Sequence, residues 1–302
     1  MSCIQYKVAE HVFSIAFESE ALSAELLPQM ENYSPFQVAS GNCATNVSEI
    51  IFNLKVMADA ANHVGNHSPL DYVVETRQED EGQVIVCGHT NDGKAVFDFS
   101  FGNNPAGILI CSQDYREAEL RLSSARRKAG LDNALMVLFA LATARLNTVL
   151  FHAAVVSLEG RGYMFLGKSG TGKSTHARLW LKNIAGTELV NDDNPVVRLN
   201  DGAAWVYGSP WSGKTPCYKN LAMPLGGVVL LSQAPYNKII RLGGLQAYAA
   251  IVPSISGKRW DSAIADGLHN TENKIAMTVP AYYLECLPDA AAAELCCKNI
   301  KV

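Results

Sequence analysis

Residues 163 to 175 read YMFLGKSGTGKST, a short apolar run that gives way to a glycine-rich stretch and then to Lys173, Ser174 and Thr175. No other stretch restricts the fold as much. For such a loop to hold phosphates, a strand must deliver the chain and glycines must let successive N–H groups face one point. A helix must then begin at the Lys-Ser step, so that its positive N-terminal end faces the same point. Each requirement is met: YMFL reads as a strand, Gly167, Gly170 and Gly172 permit close backbone approach, and HARLWLKN continues as a proline-free helix. In this reading Lys173 meets the β and γ phosphates of ATP and Ser174 ligates Mg²⁺, while Gly167, Ser169, Gly170, Thr171, Gly172 and Thr175 complete the cradle.

A second segment, GSPWSGKTP at residues 208 to 216, fits the same G-x-x-x-x-G-K-[ST] spacing. At an average glycine frequency of about 7%, that spacing arises by chance in roughly one chain in a hundred, so context must choose. Pro216 disfavours the α region for Thr215, the residue that should already lie in the first helical turn. The segment therefore reads as a loop and not as a second phosphate loop. Two readings remain, a flap that brings Lys214 to the phosphates or a solvated surface loop.

At 302 residues the chain is long enough for two ordinary domains. Up to about residue 115 the signals are mainly those of strands. IIFNLKV alternates at 50 to 56, and VIVCG and AVFDFSF flank an Asn91, Asp92, Gly93 turn suited to a hairpin. YREAELRLSSARRKAG, from Tyr115 to Gly130, reads as a helix, and LDNALMVLFALATARLN as a second, strongly apolar one. The join is placed there, with a smaller β-rich α+β domain over 1–122 and an α/β domain over 123–302. In the latter VLFHAAVVS, YMFL, ELVNDD, AAWVYG, GVVLLS and AYYLECL read as strands, LQAYAAIV as a helix, and Pro288 leads a last helix.

A formal charge of −4 gives no electrostatic basis for nucleic-acid binding, and Arg126, Arg127 and Lys128 read as a solvated helix end. The eight cysteines show no C-x-x-C pair or zinc spacing, and His11, His63, His67 and His89 sit at no metal-ligand spacing. No signal-peptide pattern opens the sequence and no apolar run is long enough for a bilayer, so a cytoplasmic protein without a membrane partner is expected.

Phosphoryl transfer also needs a further metal contact and a group to take the acceptor's proton. ELVNDDN offers candidates, because Asp192 and Asp193 close an apolar strand about twenty residues after Lys173, and Asn194 and Pro195 end it. Adjacent side chains on a strand point to opposite faces, so both can serve one site only if the strand stops there. His152 lies in the apolar run before YMFL, where a lone histidine is either a satisfied core residue or part of the site.

Taken in order, His152, GKSGTGKS, LVNDD, a strand ending at Gly208 and a further apolar strand resemble the catalytic domain of HPr kinase/phosphorylase. The loop is also similar to the GxSGTGKTT of ATP-dependent phosphoenolpyruvate carboxykinase, which shares the fold group. The resemblance covers roughly residues 148 to 232 and implies an α/β P-loop kinase-like domain whose mixed sheet is flanked by helices. It implies Lys173 on the phosphates, Ser174 and Asp193 at the metal, Asp192 as base toward an acceptor hydroxyl, and His152 beside Asp192. It also puts GSPWSGKTP where the family has a glycine-rich segment, which favours the flap and a role for Lys214. Lys168 replaces the family's acidic residue, Ala153 replaces its glycine after the histidine, and PSISGKRWD stands nearest to its Pro-Gly-Arg-Asn loop. The activity implied is an ATP- and Mg²⁺-dependent kinase acting on a protein, peptide or small molecule, with the β-rich domain choosing the acceptor. A carboxykinase-like reaction on an organic acid and a non-catalytic ATP-binding regulator are the alternatives, and self-association is left open.

Overall fold

A computed structural model describes residues 3–39, 49–58, 70–80, 82–213 and 215–301. Cys43, His63, His67 and Lys214 lie outside the described residues. The chain divides into two compact units, Met1–Ala142 and Thr143–Val302, so the division falls later than the join read at residue 122.

In the first unit β1 (Cys3–Val8), β2 (His11–Phe17), β3 (Ile50–Ala58), β4 (Val73–Asp80), β5 (Gln83–His89), β6 (Ala95–Phe101), β7 (Asn104–Cys111) and β8 (Glu117–Leu122) form one sheet, ordered β1-β2-β3-β8-β7-β6-β5-β4. The β5–β6 hairpin turns where Asn91, Asp92 and Gly93 called for it, with Thr90 N–H donating to Lys94 O at 3.0 Å. Helix α1 (Glu20–Leu26) is capped by Ser19, whose hydroxyl accepts from Leu22 N–H. Helix α2 (Arg127–Thr143) belongs with this sheet because its Phe139 meets Phe13 edge-on at 6.3 Å, and Phe13 stacks on Phe52 at 4.8 Å.

The stretch from Tyr115 to Gly130 departs from the helix expected of it. EAELRL is β8, parallel to β3 and antiparallel to β7. Ala118, Leu120 and Leu122 are buried while Glu117, Glu119 and Arg121 are not. That period-two alternation, satisfied by a neighbour on each side, outweighs the helical preference of Glu, Ala and Leu. Gly130, read as a helix stop, instead lies inside α2.

The second unit contains β9 (Thr148–Leu150), β10 (Ala154–Leu158), β11 (Arg161–Leu166), β12 (Glu188–Asn191), β13 (Val196–Asn200), β14 (Ala203–Tyr207), β15 (Ala222–Gln233), β16 (Lys238–Leu242) and β17 (Ala281–Cys286). Their helices are α3 (Lys173–Asn183), α4 (Leu245–Ile251), α5 (Ser262–Thr278) and α6 (Ala290–Ile300). The strands make a mixed sheet in which β15 pairs in parallel with β11 on one side and β17 on the other. β12 and β10 extend it antiparallel beyond β11, and β16 extends it beyond β17. The first residues of β15 pair instead with β14, which continues through β13 to β9, so this one strand joins the two halves of the sheet.

Alternate residues of the strands, among them Phe165, Val229 and Leu284, point to one face and bury Trp180 of α3 with Ala293 and Cys296 of α6. Each large side chain so buried contributes about 1.5–3 kcal/mol. His176 lies in this core; its Nε2 accepts from Trp180 Nε1–H at 3.1 Å, and its ring meets Phe165 edge-on at 4.7 Å. Burial pushes its pKa down from 6.5 to about 4. Between those values the unfolded chain binds a proton that the folded chain refuses, so stability present above about 6.5 is lost as pH falls toward 4, by roughly 3 kcal/mol at most. Urea unfolding across this window is expected to show that slope in the wild type and a weaker one in His176→Gln. Equal slopes in the two proteins would mean that His176 is not held neutral.

Among the described residues no helix is long and apolar enough to cross a membrane. Their cysteines are free thiols. His11 packs edge-on against Phe139, and His89 Nδ1 lies 3.0 Å from Glu75 Oε1.

Candidate active site

β11 ends at Leu166 and α3 begins at Lys173, so residues 167 to 172 bridge strand and helix as the sequence predicts. Gly170 and Gly172 have φ of +77° and +108°, a region that side chains with a Cβ avoid. Thr171 steadies the loop from within, its Oγ1 donating to Lys168 O at 2.7 Å. Lys173 is only 8% exposed and curls back over the loop, with Nζ donating to Gly167 O at 3.0 Å and to Lys168 O at 3.4 Å. Ser174 and Thr175 occupy the first turn of α3, where N–H groups have no intrahelical acceptor and the helix dipole is positive. Ser169 is exposed on the loop. The result is a glycine-rich strand-to-helix loop with a lysine ammonium folded onto it, of the right chemistry for a polyphosphate.

Strand register decides what else reaches this place. Ala154 pairs with Phe165, and Val155 pairs with Asn191, so the start of β10 and the ends of β11 and β12 lie at one end of the sheet. β10 intervenes between the other two, which sets the ends of β11 and β12 roughly 10 Å apart, two strand spacings. The loop of residues 167 to 172, His152 and the Asp192, Asp193 pair therefore share one sheet end.

The run from 149 to 157 is not one strand. It breaks between β9 and β10 at His152 and Ala153, whose N–H groups donate to Ser254 O at 2.7 Å and Asp193 O at 2.8 Å. At the break His152 Nδ1 lies 3.7 Å from Asp193 Oδ1. Its acidic neighbour is thus Asp193 and not Asp192. The two carboxylates differ in access: Asp192 is buried, whereas Asp193 is half-buried, as is His152 beside it. β12 stops at Asn191, before either of them. The segment nearest in sequence to Pro-Gly-Arg-Asn also lies here, since Ser256 N–H donates to Leu150 O at 2.9 Å. Arg259 holds that segment through Glu272, fully buried, at 2.6 Å.

The second loop match packs against the same carboxylates. Gly208 to Trp211 is buried, which removes the solvated-loop reading for these residues. Ser209 Oγ donates to Asn194 O at 2.6 Å and accepts from Asn191 Nδ2 at 3.1 Å, while Asn194 N–H donates to Trp211 O at 3.2 Å. Asn191 Oδ1 in turn accepts Asp193 N–H at 2.9 Å. Neither glycine of the match has a left-handed φ. A Cβ on Gly208 would stand 1.9 Å from Lys219 O, and one on Gly213 would stand 3.2 Å from Asp193 Cβ. Gly208 is required for close packing and Gly213 sits in a tight contact, whereas Gly170 and Gly172 are required for backbone conformation. No helix follows Thr215, in keeping with Pro216. Sequence reasoning missed Asn191 and Ser209, although an amide closing an apolar strand is unusual enough to have drawn notice.

Among the described residues no group of three or more His, Cys, Asp or Glu is placed to hold a metal. A Mg²⁺ carried on nucleotide phosphates needs only one or two protein carboxylates, and Asp192 and Ser174 are of the right chemistry for it.

No family model matches this chain. No curated protein matches it either. A solved HPr(Ser) kinase/phosphatase from Coxiella burnetii is similar over 50% of this chain and 94% of its own, at 11% identity and a TM-score of 0.31. That is a coarse, fold-level likeness, and no assignment of a residue rests on it.

Proposed function

We propose that the second unit transfers the γ-phosphoryl group of MgATP to a hydroxyl group of a protein, peptide or small molecule. The observation that carries this reading is the meeting, at one sheet end, of the loop of residues 167 to 174 with the His152–Asp193 pair. The loop N–H groups and Lys173 hold the phosphates, and Ser174 with Asp192 holds the Mg²⁺, which would neutralise charge on the phosphate oxygens.

The carboxylate that takes the acceptor's proton is Asp193. A base must meet an acceptor arriving from solvent, and Asp193 is the more exposed of the two and has an imidazole beside it. Asp192, buried, suits the metal better, because a buried carboxylate needs a cation. This exchanges the roles that the resemblance implied for the two aspartates. Lys214 follows directly on the fastened segment 208–213 and supplies a further cation to the transferring group, and the first unit selects the acceptor.

The test is transfer of γ-labelled phosphate from ATP to protein, peptide and metabolite fractions of a cell extract. Acid-stable label that appears with wild type and disappears with Asp193→Asn is expected. Tight MgATP binding with no label in any fraction would replace the kinase by a nucleotide-binding regulator.

A further inference from the structure

Gln233, the last residue of β15, reaches across to the phosphate loop: its Nε2 donates to Gly170 O at 3.2 Å and lies 3.5 Å from Thr171 O. Three residues on, in the turn between β15 and β16, Tyr236 is 50% exposed. Most exposed tyrosines are free to swing, but this one is tied at its tip. Its Oη donates to Glu285 Oε1 on β17 at 3.1 Å, a hydrogen bond that raises the phenol's pKa.

The turn is held as well. Ala234 N–H donates to Cys286 O at 3.1 Å. Asn237 Oδ1 accepts Leu287 N–H at 2.8 Å, and Asn237 Nδ2 donates to Asp289 Oδ1 at 3.0 Å. Because β17 lies between β15 and β16, the turn crosses the end of β17. Tyr236 therefore stands roughly 10 Å, two strand spacings, to the side of β11, and beyond its end, toward the level at which Gln233 meets Gly170 of the loop. A ribose and an α-phosphate span a gap of that size.

We infer that the ring of Tyr236 is the platform on which the base of the nucleotide stacks while its phosphates lie in the loop of residues 167 to 174. This rests on the phosphate-loop reading above. An aromatic ring whose hydroxyl is already engaged offers its face without ordering a mobile side chain, so little conformational entropy is lost on stacking. Stacking tolerates any base with a large π-face, so ATP and GTP bind comparably.

The experiment is calorimetry of wild type, Tyr236→Ala and Tyr236→Phe with three magnesium-loaded ligands: ATP, GTP and inorganic tripolyphosphate. Tyr236→Ala is expected to lose about 5- to 100-fold in affinity for both nucleotides and to keep its affinity for tripolyphosphate, whereas Tyr236→Phe keeps all three. Wild type that binds tripolyphosphate and ATP alike, with ATP unaffected by Tyr236→Ala, overturns the platform and leaves the loop standing. Equal losses for nucleotide and tripolyphosphate in Tyr236→Ala also overturn it, since a ring that only shapes the turn would act on both. Wild type that binds none of the three overturns the phosphate-loop reading, and the platform with it.

Discussion

Lys173→Ala is expected to abolish ATP-dependent turnover and to weaken MgATP binding by roughly 10- to 100-fold. The ammonium is folded onto the loop, 3.0 Å from Gly167 O. Charge-assisted hydrogen bonds of this kind contribute about 1.5–3 kcal/mol, so their loss weakens binding without eliminating it. The N–H groups of the loop and the start of α3 remain in the variant and account for the residual affinity. Turnover suffers more, because charge moves onto the bridging and leaving oxygens in the transition state, where a fixed cation counts most. Lys173→Arg is not expected to rescue, since a guanidinium fork does not fit a side-chain position only 8% exposed. Calorimetry on folded Lys173→Ala showing wild-type MgATP affinity would remove the phosphate-loop assignment.

Asp193→Asn is expected to lower kcat by about 10²- to 10⁴-fold, the range for losing a positioned base, with MgATP affinity unchanged. Asn is nearly isosteric, and Asp193 N–H keeps its bond to Asn191 Oδ1, so the backbone of the site persists. Asp192→Asn is expected to behave differently and to raise the Mg²⁺ concentration needed for half-maximal rate. Titrating Mg²⁺ against rate in the two variants separates the roles. If Asp192→Asn shows the kcat loss at saturating Mg²⁺ and Asp193→Asn shows the metal phenotype, the assignment implied by the resemblance is restored.

The loop, its strand and its helix were legible because glycine, lysine and serine at fixed spacing are constrained by local backbone geometry alone. The aspartates at the end of β12 were legible for a similar reason, since Asn194 and Pro195 punctuate the chain. What could not be read was which aspartate faces His152. That depends on the break between β9 and β10, and the break is fixed by Ser254 O and Asp193 O, partners distant in sequence. β8 was mistaken for helix because its residue types favour helix while only its alternation favours strand. α5 was not anticipated, although Ile264, Leu268, Thr271 and Ile275 form a buried stripe at helical spacing and Asp261 caps its start. The purpose of the glycines at 208 and 213 was beyond reach, because a pattern records that a side chain is absent and not what stands in its place.

The position of β15 between β11 and β17 also governs when the site can come into being. On one side its partner has already been made when it emerges, with Leu166 beside Leu230, but on the other Val228 waits for Ala281. Parallel pairings of such long sequence separation form late and slowly, because a long loop must be closed before any hydrogen bond rewards it. During synthesis the loop of residues 167 to 172 is complete well before the strand that flanks β15 and the Glu285 that tethers Tyr236 have been made. Until then β15 presents an apolar edge with unmet N–H and C=O groups, and such an edge invites pairing with another chain. The last strand and the helix after it thus act as the closing step of assembly, and the nascent chain is most exposed to aggregation in the interval before they arrive.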